Sequence, residues 1–328
     1  MTNPLKVALI GYGFGGRVFH ADPISRTEGL TLAAIVSSRK DEIAKTHPGV
    51  TVVATPEDVF ADPSIDLIAI STPNTAHFPL AAAALAAGKH VVVDKPFTVT
   101  GTEARELKRL AEVAGRQLTV FHNFRYYSDF LTLKGLIGDG TLGEIVFYES
   151  HFDRYSPQVP DAWREKPGPG AGTWWDLGPH LIDQALQLFG KPNAIFADIG
   201  VQRSNDGAPD YFQALLRYEK LRVVLTSCFL APEQEIRFIV HGSKASFFKK
   251  GIDTREGPDR FPGTLTLSDG SERQAPIGVA DTRAFYIAVR DAILGGLPNP
   301  VALDDAIAVM DVLEAGDRSV AEGREIAL

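Results

Sequence analysis

The stretch LKVALIGYGFGGRVFH (residues 5–20) decides the fold: six mostly apolar residues run into a cluster of glycines, and a helical pattern follows. Gly11, Gly13 and Gly16 stand in G-x-G-x-x-G spacing. That spacing is weak alone, but between a strand and a helix it is a dinucleotide-binding signature. Gly11 permits the tight turn, Gly13 lets the backbone approach a pyrophosphate, and Gly16 lets the helix pack close to the sheet. Gly11, Gly13, Phe14 and Gly16 together make the expected cofactor loop. Free N–H groups and the positive dipole end at a helix start favour an anion there. A glycine-rich turn without a ligand is the plain alternative, and its context weighs against it.

Outward from this stretch, short apolar runs alternate with helical ones. LTLAAIVSS (30–38), SIDLIAISTP (64–73), HVVVDKP (90–96) and QLTVFHNF (117–124) read as strands. TAHFPLAAAALAAGK (75–89) and GTEARELKRLAEVAGR (101–116) read as helices, the first with Gly88 as its cap. The strands are apolar throughout rather than alternating, as strands buried on both faces are. Strand–helix alternation of this kind gives an α/β Rossmann fold, a doubly wound parallel sheet, over 1–121.

Beyond about residue 122 the pattern changes. EIVFYESHF, NAIFADIGVQ, DYFQALLRYE, LRVVLTSCFL, EIRFIVHGS, KASFFKK and TLTLSDG are closely spaced strand-like runs, and short turns join some of them as in hairpins. Helices are expected at about 176–189, 281–295 and 303–316. Residues 122–328 therefore read as an α+β domain with a large, mostly antiparallel sheet and helices on one face. The loop SPQVPDAWREKPGPGAG (156–172) is rich in Pro and Gly, and loops of that length in compact domains are often functional.

Composition narrows the function. The 328 residues are 45% hydrophobic and 23% charged, enough for a core in each domain. The net charge of −8 argues against nucleic-acid or anionic-membrane partners, which need a basic footprint. Cys228 is the single cysteine, so an intrachain disulfide is excluded. Its apolar surroundings suggest a buried thiol. No apolar run is long enough to span a bilayer, and the first residues lack a signal-peptide pattern, so a cytoplasmic setting is expected.

The tips of the parallel strands carry candidate ligands. The second strand ends at Ser37, Ser38, Arg39 and Lys40, with no carboxylate before Asp41. Hydroxyls and cations suit a ribose 2′-phosphate, so NADP is expected over NAD. The competing reading is a solvated helix start. Thr72, Pro73 and Asn74 are placed on the path to the nicotinamide, with His77 as a packing or surface residue. Asp94 and Lys95 sit at the tip of an apolar strand, pinned by Pro96.

The stretch TWWDLGPHLID (173–183) spaces Asp176, His180 and Asp183 by four and three, which places them on one helix face. A structural alternative makes Asp176 the helix N-cap, puts Pro179 in the first turn and leaves His180 in the core. A zinc site fails because no further His or Cys is spaced to complete a cage, so no metal is expected.

GYGFGG, STPN, DKPF, GTLGEI and DLGPHLID, in this order, resemble the glucose–fructose oxidoreductase / inositol dehydrogenase family, and the resemblance covers essentially the whole chain. The G-x-G-F-x-G-x-V-F-H start and GPGAGTWWDLGPHLIDQAL look most like its NADP-dependent scyllo-inositol dehydrogenase-like branch. Asp94 departs from the Glu usual in the family's E-K-P. The resemblance implies a catalytic set of Lys95, Asp176 and His180, a Rossmann domain with NADP, and oligomer contacts through the antiparallel sheet, as a homodimer or larger. Hydride transfer between the nicotinamide and a secondary alcohol needs a base for the hydroxyl proton. His180 suits it, and a desolvated Lys95 is the alternative. Asn123, Arg125, Tyr126, Tyr127, Arg154, Tyr155, Trp163 and Asp183 are candidates to bind a neutral sugar or cyclitol. Trp174 and Trp175 read as core. A non-catalytic NADP sensor on the same fold, or an enzyme for another polyol or an imine, are the competing functions.

Overall fold

A computed structural model describes residues 3–204, 206–232, 236–252, 256–258 and 261–328. The described chain divides into two compact units, one reaching His122 and regaining Thr282–Ile307, the other formed by Asn123–Asp281 and Ala308–Leu328.

The first unit holds a six-stranded parallel sheet. Its strands are β1 (Leu5–Ile10), β2 (Leu30–Val36), β3 (Thr51–Val53), β4 (Leu67–Ile70), β5 (His90–Val93) and β6 (Leu118–Val120), in the spatial order β3-β2-β1-β4-β5-β6. This is the dinucleotide-binding order, with its switch point between β1 and β4. All four residues of β4 are buried, as the unbroken apolar runs require. The crossovers carry helices α1 (Asp22–Arg26), α2 (Lys40–Thr46), α3 (Pro56–Ala61), α4 (His77–Ala86) and α5 (Gly101–Ala114). Helix α5 starts where Thr100 Oγ1 accepts from Glu103 N at 3.2 Å, and it ends at Gly115 with φ +60°. Both devices satisfy backbone groups that a helix end leaves over.

The second unit opens with α6 (Ser128–Gly138) and β7 (Ile145–His151), followed by α7 (Gly172–Phe189). Then come β8 (Ala194–Gly200), β9 (Tyr211–Arg217), β10 (Arg222–Cys228), β11 (Ile236–Gly242), β12 (Ala245–Lys250), β13 (Gly257–Pro258), β14 (Thr264–Leu267), β15 (Glu272–Gln274) and β16 (Val279–Ala280). A nine-stranded sheet runs β15-β14-β12-β11-β7-β10-β9-β8-β17, where β17 is Ile326–Ala327. It is antiparallel except between β7 and β10. Strands β13 and β16 form a separate ribbon. In β9, Phe212, Ala214 and Leu216 are buried while Gln213 and Arg217 are exposed, the alternation of a sheet covered on one face. Helix α7 packs against β9 and β10. Glu235, the first residue of the expected strand EIRFIVHGS, lies outside the described residues.

Three expectations need correction. The segment Thr282–Ile307, expected in the second domain, belongs to the first unit. Its helix α8 (Ala284–Gly295) sets Phe285 edge-on to Phe121 at 4.7 Å and Tyr286 OH 2.6 Å from His20 Nδ1. Asn299 Nδ2 donates to Leu118 O at 2.6 Å, and α9 (Leu303–Glu322) then begins. Helix α7 starts at Gly172 with Ala171 as its N-cap, so Asp176 is not the cap and Pro179 lies inside the helix. Finally, Cys228 is partly exposed rather than buried, with Sγ 3.5 Å from Gln202 Oε1.

His90 at the start of β5 accepts a hydrogen bond from Gln117 N on Nδ1 at 2.9 Å. Burial, with the Arg116 guanidinium beside it, pulls its pKa from 6.5 down to about 4, partly offset by Asp66. A His with a depressed folded-state pKa favours the fold above pH 6.5, and that contribution is lost as pH falls towards 4. The urea midpoint should therefore drop between those pH values, and drop less in His90→Asn. An identical fall in both proteins would show that His90 carries none of it.

Candidate active site

In the first unit the glycine loop is built by steric exclusion. Gly11 has φ +98°, and a Cβ there would lie 2.1 Å from Ser71 O. A Cβ on Gly16 would lie 2.1 Å from Gly11 O. Gly13 is exposed and a Cβ on it would meet nothing within 4 Å, so its backbone offers open approach. Phe14 is 66% exposed. Helical turns run from Phe14 through a π-helical segment, Gly16–Ala21, into α1. The residues present fit a dinucleotide: the tight turn, the open glycine and the helix start are all in place.

Ser37 to Lys40 follow β2 as expected, and Ser38, Arg39 and Lys40 are exposed. Arg39 Nη1 lies 3.5 Å from Glu42 Oε2, while Arg17 Nη1 lies 3.0 Å from Glu42 Oε1. Arg17 is a third cation at this edge, beside Arg39 and Lys40, that the sequence reading missed. Its position directly after Gly16 was the available signal.

The tips of β4 and β5 are tied together. Ser71 Oγ donates to Asp94 Oδ2 at 3.0 Å, and Lys95 N donates to Asp94 Oδ1 at 2.9 Å. His20 Nε2 lies 3.5 Å from Asp94 Oδ2. Burial pushes the Asp94 carboxyl up. The hydrogen bond and charge of His20, with Lys95 and His77 nearby, outweigh burial and hold it well below the usual carboxylate range. The Lys95–Pro96 peptide is cis. His77 is fully buried, with Nδ1 2.8 Å from Pro96 O and Nε2 3.1 Å from Thr72 O. It thus joins the loop carrying Thr72, Pro73 and Asn74 to the one carrying Asp94 and Lys95. His20 and Ser71 stood in the quoted G-x-G-F-x-G-x-V-F-H and STPN motifs without a role of their own, and Tyr286 had no sequence signal; what they do comes from long-range packing.

In the second unit α7 carries Asp176, His180 and Asp183 on one stripe. His180 is 6% exposed and lies 4.1 Å, centroid to centroid, from Phe124 and 6.2 Å from Phe152. Asp176 stays partly exposed, with Oδ1 3.5 Å from Arg164 Nε. Asp183 is buried against Arg125, which donates from Nε at 2.9 Å and from Nη2 at 2.6 Å. Asn123 Nδ2 donates to Tyr127 OH at 3.3 Å. Burial raises the Tyr126 phenol above its ordinary range, partly offset by Arg125. Trp163 carries the Arg164 guanidinium 4.6 Å over its ring, and the Arg154 guanidinium lies 5.1 Å over Phe152. Tyr155 is 57% exposed, its backbone bridged to Leu230. Trp174 and Trp175 are core residues, hydrogen-bonded from Nε1 to Leu313 O and Asp317 Oδ2. Among the described residues no group of three or more His, Cys, Asp or Glu could hold a metal ion, and no helix is long and apolar enough to cross a membrane.

Two family models match this chain. One, the oxidoreductase-family NAD-binding Rossmann fold, covers residues 5–122, and the other, the oxidoreductase-family C-terminal alpha/beta domain, covers residues 134–328. The chain belongs to the GFO/IDH/MocA oxidoreductase family. This oxidoreductase is 48% identical to the uncharacterized oxidoreductase YdgJ of Escherichia coli, over 97% of each chain. It is 37% identical to scyllo-inositol 2-dehydrogenase (NADP(+)) IolW of Bacillus subtilis, over 100% of this chain and 97% of that one. The solved structure of YPO2259 from Yersinia pestis superposes with a TM-score of 0.95 at 46% identity, covering 100% of this chain and 98% of that one.

The Arg125–Asp183 pair gives a direct test. Its side chains are 10% and 2% exposed, so removing the carboxylate strands a buried guanidinium. Asp183→Asn should cost on the order of 3 kcal/mol in unfolding free energy by urea titration. An unchanged midpoint would mean the pair contributes nothing.

Proposed function

We propose that the protein transfers a hydride between NADP(H) and a secondary alcohol or ketone of a neutral sugar or inositol. The observation that carries this reading is the α7 stripe, where His180 sits among Phe124 and Phe152 and Asp176 keeps a partly exposed carboxylate one turn away. A relative of full length that is named an NADP-dependent scyllo-inositol 2-dehydrogenase supports the substrate class. The β2 tip supports the cofactor, since Ser37, Ser38, Arg39 and Lys40 present hydroxyls and cations and no carboxylate.

Gly11, Gly13, Phe14 and Gly16 would hold the pyrophosphate, and Ser37 to Lys40 the ribose phosphate. Thr72, Pro73, Asn74, Asp94 and Lys95 would line the path to the nicotinamide. When bound, that ring supplies the hydride acceptor or donor. His180 takes the hydroxyl proton in oxidation and returns it in reduction, which an imidazole does well because it titrates near neutral pH. Asp176 orients His180 and favours its protonated form. Lys95, as an ammonium, stabilises charge developing on the substrate oxygen. Asn123, Tyr155 and Trp163 contribute hydrogen bonds and an aromatic wall for a polyhydroxylated ring. Arg125 and Asp183 fix each other and offer their remaining donor and acceptor capacity to it. The wider assignment is an enzyme that works as a homodimer or larger assembly.

The test is a panel of inososes, keto-sugars and their alcohols, run in both directions with both cofactors. NADP should be preferred in kcat/KM, and Arg39→Ala should shrink the preference. A clear NAD preference would refute the cofactor assignment. His180→Asn should lower kcat by on the order of 10²–10⁴ while NADPH still binds by fluorescence titration. Near-normal turnover in that variant would remove His180 from the mechanism, and cofactor binding with no turnover on any substrate would favour a sensor.

A further inference from the structure

The long loop before α7 is anchored by one buried cation that none of the site motifs contains. Arg203, in the β8–β9 connection, has a side chain only 1% exposed. Its Nε donates to Asp210 Oδ2 at 2.8 Å, and its Nη2 donates to Glu165 Oε2 at 2.5 Å. Nη1 donates to Ser156 O at 2.9 Å and to Gln158 O at 3.4 Å. The guanidinium also lies 4.8 Å from the Phe229 ring centroid. A planar fork satisfies acceptors on two strands of loop at once, which a lysine ammonium does not reproduce.

The same connection also braces the start of α7. Asp210 Oδ1 accepts from Gln202 N at 2.7 Å, closing the turn on itself. Ala208 N donates to Glu165 O at 2.9 Å, and Thr173 N donates to Pro209 O at 2.6 Å. Gly172, with φ +82°, sits so close that a Cβ would lie 2.7 Å from Pro209 O. One turn therefore holds both the loop carrying Trp163 and Arg164 and the first turn of the helix carrying Asp176 and His180. Arg164 Nε, 3.5 Å from Asp176 Oδ1, forms an ion pair between the two held parts.

We propose that Arg203 is a positioning residue for substrate binding: it fixes residues 156–165 against the start of α7, so that Arg164, stacked over Trp163, meets Asp176 in one arrangement. This rests on the reading of α7 as the substrate helix. Arg203 touches no substrate itself. It holds the polar edge of the site against the entropy of a loop rich in Pro and Gly, and an ångström-scale displacement at a site is felt strongly in turnover.

Two variants test it in the full-length protein. Arg203→Lys keeps the charge and loses the fork, and Glu165→Gln leaves the Arg203–Asp210 pair and weakens only the tie to the loop. Each should raise KM for the polyol that the wild type turns over by about tenfold or more, with NADPH Kd within about twofold of wild type. Each should also speed tryptic cleavage after Arg164 under native conditions. Unchanged KM with unchanged cleavage in both variants would overturn the proposal, as would a loss of NADPH affinity parallel to the KM change, which marks a general loss of structure. Should the wild type turn over no polyol, the functional reading fails, and the cleavage rates still decide whether Arg203 holds the loop.

Discussion

A β-carbon has no room at the tip of β1. At Gly11 it would strike Ser71 O, and at Gly16 it would strike Gly11 O, each at 2.1 Å. Those two contacts set how closely the first helical turn, the end of β1 and the end of β4 approach each other. The positive φ of Gly11 turns the chain sharply enough for the helix to begin directly over the sheet edge. Ser71 therefore lies within reach of Asp94, and the tips of β4 and β5 become one polar surface. The cofactor loop and the lysine of DKP share this constraint, because both depend on the β1–β4 switch point.

Beneath that surface polar groups stand in a chain. His20 contacts Asp94 and Tyr286, and its ring lies 4.2 Å from the Phe121 ring centroid. Ionising a carboxylate in such surroundings costs desolvation, and the neighbouring cationic and hydrogen-bonding groups offset that cost. His77 lies between Thr72 O and Pro96 O; burial keeps its ring neutral, so its single N–H donates to one of these two backbone carbonyls.

The second unit relies on a different close approach. Trp174 packs against two glycines: a Cβ on Gly178 would lie 3.1 Å from its ring, and one on Gly316 2.4 Å. Helices α7 and α9 come together over that ring, and the opposite stripe of α7 is left for Asp176 and His180. Behind it Arg237, fully buried, donates to Asp129, Ser150, His151 O and Gln184. Gln184 in turn donates to Phe124 O at 3.2 Å, the backbone of the residue whose ring packs on His180. A buried ion pair of this kind is weak evidence of net stability, yet breaking it strands a charge, so it confines the elements it joins to one arrangement.

Local chemistry was legible from residues alone. Unbroken apolar runs declared the parallel strands, glycine spacing declared the turn, and a spacing of four and three declared the α7 stripe. These are short-range properties, set by backbone sterics and by the periods of helix and strand. The sequence misjudged the start of α7, because an interior Pro179 looks like a first-turn proline until packing holds the helix together. It also misplaced Thr282–Ile307, since the return of a distant segment leaves no mark on local pattern. Only the tertiary structure decided that Arg125 and Asp183 neutralise each other, that Arg164 reaches Asp176 and that His20 and Tyr286 stand under Asp94. Arg125 and Asp183, like His20 and Tyr286, are far apart in the chain, and Arg164 meets Asp176 only because the loop folds back on α7; which charges meet depends on how whole elements pack.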